Sequence, residues 1–104
     1  MIVQGDVFLV TCSKIPAGAK KVRKSARGYI LAEGEATGHA HCIAEPSVGI
    51  EMYESEGILY LKTNKQVQVK HEEHKPITVA PGTWKVGRVK EYDAFEEEAR
   101  NVRD

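Results

Sequence analysis

Apolar and polar residues alternate along most of the chain in short runs, each ended by glycine, proline or a pair of polar residues. A period of two, broken by turn residues every eight to twelve positions or so, is the signature of half-buried strands in an all-β domain. GDVFLVTC (5–12) reads as the first strand, and KIPAGAKKV, with Pro16 and Gly18, as a loop. GYILAEGE (28–35) follows, with Tyr29, Leu31 and Glu33 on one face and Ile30 and Ala32 on the other. GHAHCIAE (38–45) is a third strand, entered through Gly34 and Gly38 and stopped by Pro46. GIEMYESEGILYLKT (49–63) predicts a hairpin turning at Ser55-Glu56-Gly57, and QVQVKH (66–71) a strand with Val67 and Val69 on one face. ITVAPGTWKVGRVKEY (77–92) predicts a second hairpin on Pro81-Gly82. Together these make seven to eight short strands, and predict a small barrel or sandwich.

Only the tail, DAFEEEARNVRD, carries a helical period. Asp93 with Glu96 has the spacing of a capping box, and Phe95, Ala99 and Val102 form one apolar stripe. The expected helix covers about 93–102, in a single β domain spanning 1–104.

Composition adds bounds rather than chemistry. With 104 residues, 41% of them hydrophobic, the chain can bury one core. Fifteen basic and fifteen acidic residues cancel, so no global field draws it to nucleic acid or a membrane. No apolar run reaches bilayer length, and MIVQGDVFLV lacks the features of a signal peptide. Cys12 and Cys42 show no C-x-x-C spacing, which fits reduced thiols and a cytoplasmic setting. Partners compatible with this composition are a small molecule or nucleotide, or another chain along a sheet edge, giving an oligomer.

The candidate chemistry lies in the histidines. All four fall in two short words, GHAHC (38–42) and HEEH (71–74). On a strand His39 and His41 share a face, with their Cα atoms roughly 7 Å apart, close enough to converge on one cation. Cys42 then points to the other side, as a buried structural thiol. HEEH is not the zincin word H-E-x-x-H, because its second histidine comes one residue early. On an unbroken strand His71 and His74 would point to opposite faces, so a bend near Pro76 is expected to bring one of them, His74 by preference, to the site. Each word alone is compatible with ordinary polar pairing or a solvated loop; their coincidence points to one constellation.

GHAHCIAE resembles the cupin word of H-x-H, three residues and Glu. That resemblance implies His39, His41 and Glu45 as metal ligands inside a small β-barrel. It covers about a third of the chain, and the sequence departs from the cupin pattern. Four residues rather than five separate Gly34 from His39, and no histidine follows the Pro81-Gly82 turn. A longer likeness runs from QGDVFLV through LAEGEATGHAH to HEEHKPITVAPGTWKVGRVKEYD. Over these segments the chain is similar to a family of small uncharacterised bacterial and phage-encoded proteins. This resemblance implies a bacterial or phage cytoplasm and no particular activity; Cys42 departs from its usual pattern.

Three functions follow as expectations. In the first, His39 and His41 with His74 or His71 hold a divalent ion (zinc, iron, manganese or nickel), and Glu72 or Glu73 serves as general base in a hydrolysis or orients a ligand. In the second, the imidazoles act without metal as acid and base on the phosphodiester of RNA or a cyclic nucleotide. Arg88, Trp84 and Tyr92, which alternate on the last strand, would then bind the substrate, and the basic run KKVRKSAR (20–27) would grip phosphates. Packing for the aromatics and solvation for the basic run are the plainer alternatives. The third function is a non-catalytic interaction module.

Overall fold

The computed structural model of the chain describes residues 1–33, 38–44 and 48–88. Among the described residues there are ten strands: β1 (Ile2–Gln4), β2 (Val7–Thr11), β3 (Lys20–Val22), β4 (Tyr29–Glu33), β5 (Ala40–Ile43), β6 (Ile50–Ser55), β7 (Ile58–Thr63), β8 (Val67–Val69), β9 (Ile77–Val79) and β10 (Gly82–Arg88). They form an antiparallel six-stranded sheet, in the order β1-β2-β10-β7-β6-β3, and two ribbons, β4-β5 and β8-β9. The all-β expectation holds; the closed barrel does not, because β1 and β3 are left as sheet edges. The helix expected over 93–102, together with Glu45 and Tyr92, lies outside the described residues.

The extra strands are short ones that periodicity passes over. Three residues, Ile2–Gln4, pair with β2 across the tight turn at Gly5-Asp6. Lys20–Val22, read as loop, pairs with β6 as the far edge of the sheet, where its lysines discourage further strand addition. The β6-β7 hairpin forms as expected. Glu56 and Gly57 both take positive φ, 51° and 79°, as a two-residue type I′ turn requires. The hairpin expected over 77–92 is replaced by a different pairing. β9 pairs with β8, while β10 begins just past Pro81 and inserts between β2 and β7.

One face of the large sheet carries the core. Register aligns Leu9 with Val86, Trp84 with Leu61 and Leu61 with Met52, all of them buried. Tyr29 and Leu31 of β4, Ile43 of β5, Val67 and Val69 of β8 and Val79 of β9 complete the same cluster, so the two ribbons pack as a second layer on that face. Alternation in QVQV is thus satisfied, with both valines buried and Gln68 exposed. Among the described residues no helix is long and apolar enough to cross a membrane.

Gly28 introduces β4 at φ +100°, and a Cβ there would lie 2.1 Å from the carbonyl oxygen of Ile43. Gly28→Ala is therefore expected to destabilise the protein by at least about 2 kcal/mol, since backbone strain and a clash with main chain add. Urea denaturation measures this directly, and an unchanged midpoint would show that the β4-β5 ribbon yields.

Candidate metal centre

The two ribbons are joined at one point, and that point builds the site. Cys42 and Lys70 exchange both backbone hydrogen bonds, Cys42 N–H to Lys70 O at 2.9 Å and Lys70 N–H to Cys42 O at 2.8 Å. Counting outward from this antiparallel pair sets His41 opposite His71, Ala40 opposite Glu72 and His39 opposite Glu73. Each opposition carries a contact. The His41 and His71 rings lie 4.3 Å apart between centroids, Ala40 N–H donates to Glu72 Oε1 at 2.8 Å, and His39 Nδ1 lies 3.5 Å from Glu73 Oε1.

Beyond residue 71 the chain bends through 72–74 instead of continuing as a strand. The N–H of Glu73 turns back onto His71 Nδ1 at 3.0 Å, and His74 returns to within 4.7 Å of the His71 ring and 6.0 Å of the His41 ring. His39 meets His71 edge-on at 5.7 Å. Both histidines of HEEH therefore join the cluster, where only one was expected, because the bend lifts the alternation rule. His71 is the hub, touching the other three rings.

A buried glutamine holds this arrangement. Gln4 Nε2 donates to Val69 O at 3.0 Å and Lys75 O at 2.8 Å, clamping both ends of the HEEH segment. Its Oε1 must then accept, so His41 Nδ1 carries a proton and donates to it at 2.8 Å. Nε2 of His41 faces Asp6 Oδ1 at 3.3 Å, and Arg88 Nη1 lies 3.5 Å from the other oxygen of that carboxylate. Sequence reasoning missed Gln4 and Asp6. The signal for Gln4 is a polar residue at an inward position, in step with Ile2, but it becomes visible only once Ile2–Gln4 is known to be a strand. Asp6 has the ordinary look of a turn residue.

Burial, and then the neighbouring His71, lower the pKa of His41, outweighing the opposite pull of Asp6. The unfolded chain thus takes up a proton on this ring at higher pH than the folded one. The corresponding stability is complete above the unfolded value near 6.5 and is lost as pH falls below it. The melting temperature is expected to drop between pH 7.5 and pH 5.5, and His41→Gln to flatten that part of the profile. An unaltered slope in the variant would assign the effect to other groups.

Glu72 is shifted in the same direction, with the opposite effect on its charge. The Ala40 N–H bond first, then its own backbone N–H and, further down, Arg27 and His39, hold its carboxyl below the usual range. Arg27 Nη2 reaches Glu72 Oε2 at 2.6 Å, so one residue of the basic run is spent within the protein. With Ala40 N–H on one oxygen and Arg27 on the other, Glu72 is fixed in place as a carboxylate that could serve as a ligand. Glu73, far more exposed and beside His39, is the better placed of the two for proton transfer.

Trp84 is buried in the core with its indole N–H on Ala80 O at 3.0 Å, so it packs and presents no face for stacking. Arg88 is exposed and, besides Asp6, donates to Glu33 O at 3.0 Å. A cleft of about 560 Å³ lined by Tyr29, Lys62, Asn64 and Thr83 shares no residue with the cluster, so the histidines and not the cleft define the site.

Donor atoms of His39, His71 and Glu72 all lie within 4.8 Å of one another, and the two histidines are half-buried while Glu72 is exposed. Two imidazoles on one tetrahedral ion, with metal–nitrogen bonds of about 2.0–2.1 Å, place their centroids roughly 5 Å apart, near the 5.7 Å of His39 and His71. The residues present fit an ion once the Glu73 N–H gives up His71 Nδ1, which frees a lone pair on that ring, with Ala40 N–H and Arg27 left to orient the ligating carboxylate.

No curated protein and no solved structure matches the chain. One family model does, described as a domain of unknown function, DUF8820, and it spans residues 3–89, from β1 past the end of β10. Histidine words, bend and clamping glutamine all fall inside that span, and by this match the chain belongs to the DUF8820 family.

Proposed function

We propose that the protein binds a divalent transition-metal ion through His39, His71 and Glu72 and uses it to activate water for hydrolysis. The observation that carries this reading is the convergence of those three donors from two separate sequence words. Two histidines and a glutamate form the ligand set of several hydrolytic zinc sites, which keep a further position for water. A bound ion would lower the pKa of that water toward neutrality, and Glu73, beside His39, is placed to take its proton. The same donors suit iron, manganese or nickel, and two histidines with a carboxylate also serve non-haem iron in oxygen chemistry.

A second reading keeps the side chains and omits the metal. Half-exposed His39, with Glu73 at 3.5 Å to orient it, is also an arrangement for acid–base cleavage of a phosphodiester in RNA or a cyclic nucleotide. Assays of tag-free protein on bis-p-nitrophenyl phosphate and p-nitrophenyl acetate separate the two. Hydrolysis abolished by EDTA and restored by zinc or manganese supports the metal reading. Activity that persists in EDTA and is lost in His39→Ala favours the acid–base one.

A further inference from the structure

Gln4 does more than hold the HEEH bend. Its amide nitrogen is fixed by two carbonyls, so its oxygen faces His41 Nδ1 and the proton of a neutral ring is held there. Nε2 is consequently the lone-pair side, and it points at a carboxylate oxygen, Asp6 Oδ1, 3.3 Å away. Two acceptors do not face each other at that distance without something positive between them, either a second proton on the imidazole, which makes the contact an ion pair, or a cation. Two ligand atoms sharing one tetrahedral ion at about 2.1 Å stand roughly 3.4 Å apart, which matches the spacing found. A ligating imidazole that donates its other N–H to a side-chain oxygen is also the usual support of a metal-bound histidine.

We propose that His41 Nε2 and Asp6 Oδ1 form a second cation site, for a borderline divalent ion such as zinc, cobalt or nickel. It uses none of the donors of the His39, His71 and Glu72 site and does not depend on that site being filled. The surroundings suit it. His74 lies against Gly5, where a Cβ would come within 2.6 Å of its Nε2, and so flanks the Gly5-Asp6 turn as the adjacent imidazole. Arg88 engages the other oxygen of Asp6, which leaves Oδ1 directed inward. With two protein ligands it is the weaker site, completed by water or by an anionic oxygen of a bound molecule. If the His39, His71 and Glu72 site is filled as proposed above, a phosphate ester, able to bridge two cations, is the substrate class that the pair would take.

Histidine-selective nitrogen–proton NMR with zinc as the probe tests this on the whole protein. At pH 7.5 the metal-free protein should show His41 as the Nδ1–H tautomer, and zinc should shift its Nε2 resonance while Nδ1 stays protonated. In the isosteric Asp6→Asn the same response should need at least about tenfold more zinc, with the fold checked by the unchanged amide spectrum. In the His39→Ala/His71→Ala double variant the His41 response should persist. A proton on His41 Nε2 that zinc does not displace would make the contact an ordinary ion pair and overturn the site, as would equal zinc affinity in Asp6→Asn. Zinc shifts at His39 and His71 without one at His41 would remove this inference and leave the proposed function standing. Shifts at His41 alone would do the reverse.

Discussion

His71→Ala is expected to weaken divalent-metal binding at the histidine cluster by at least about a hundredfold while leaving the β core folded. Loss of an outer-shell partner alone reaches that scale at its upper end, and His71 is a proposed direct ligand. Its ring touches those of His39, His41 and His74, so none of the other three histidines has the same reach. The structural cost should be small. The ring is only half-buried, and the backbone N–H that it accepts from is that of Glu73, which is exposed and can turn to water. Calorimetric titration with zinc, alongside a melting curve, reads both quantities. A variant that melts within a few degrees of wild type and still binds zinc with undiminished affinity would remove His71 from the ligand set.

Gln4→Leu is the complementary case, where the larger effect falls on folding. Leucine is close to glutamine in volume, yet it abandons two carbonyl acceptors and the Nδ1–H of buried His41 at once. Leaving such groups unpaired costs about 1–3 kcal/mol each, with part recovered by water, so a net loss of roughly 2–4 kcal/mol is expected. For a domain of this size that lowers the melting temperature by roughly 10–30 °C. Gln4→Glu at acidic pH would restore a donor to one carbonyl at most, and should recover only part of the loss. A Gln4→Leu protein as stable as wild type would mean that the HEEH bend holds itself without the clamp.

What could be read from the sequence divides along physical lines. Strong local periodicity was sufficient for β6, β7 and β8, and the turn between β6 and β7 announced itself through Gly57, whose positive φ suits glycine. Three-residue strands such as β1 and β3 have too few positions to show a period, so they were missed, and Gln4 was missed with them. The Pro81-Gly82 turn misled, because a turn signal states that the chain changes direction and not which strand receives it. β9 and β10 part there and join different sheets. Convergence of the histidine words was inferred from their coincidence alone. How they meet depends on non-local contacts, the Cys42–Lys70 pair and the Gln4 clamp, that no local pattern encodes. Once that register exists, the placement of His41, Glu72 and Glu73 follows by counting. Trp84, open between stacking and packing in the sequence, lies in the core in step with Val86.

Metal analysis of tag-free protein tests the account most directly. Metal-free protein, titrated with zinc, iron(II), manganese and nickel in turn, should bind one ion tightly per chain. His39→Ala/His71→Ala should lose that ion while keeping the wild-type fold by circular dichroism. A folded wild-type protein that binds none of the four ions at micromolar concentration, or a double variant that binds as tightly as wild type, would contradict it.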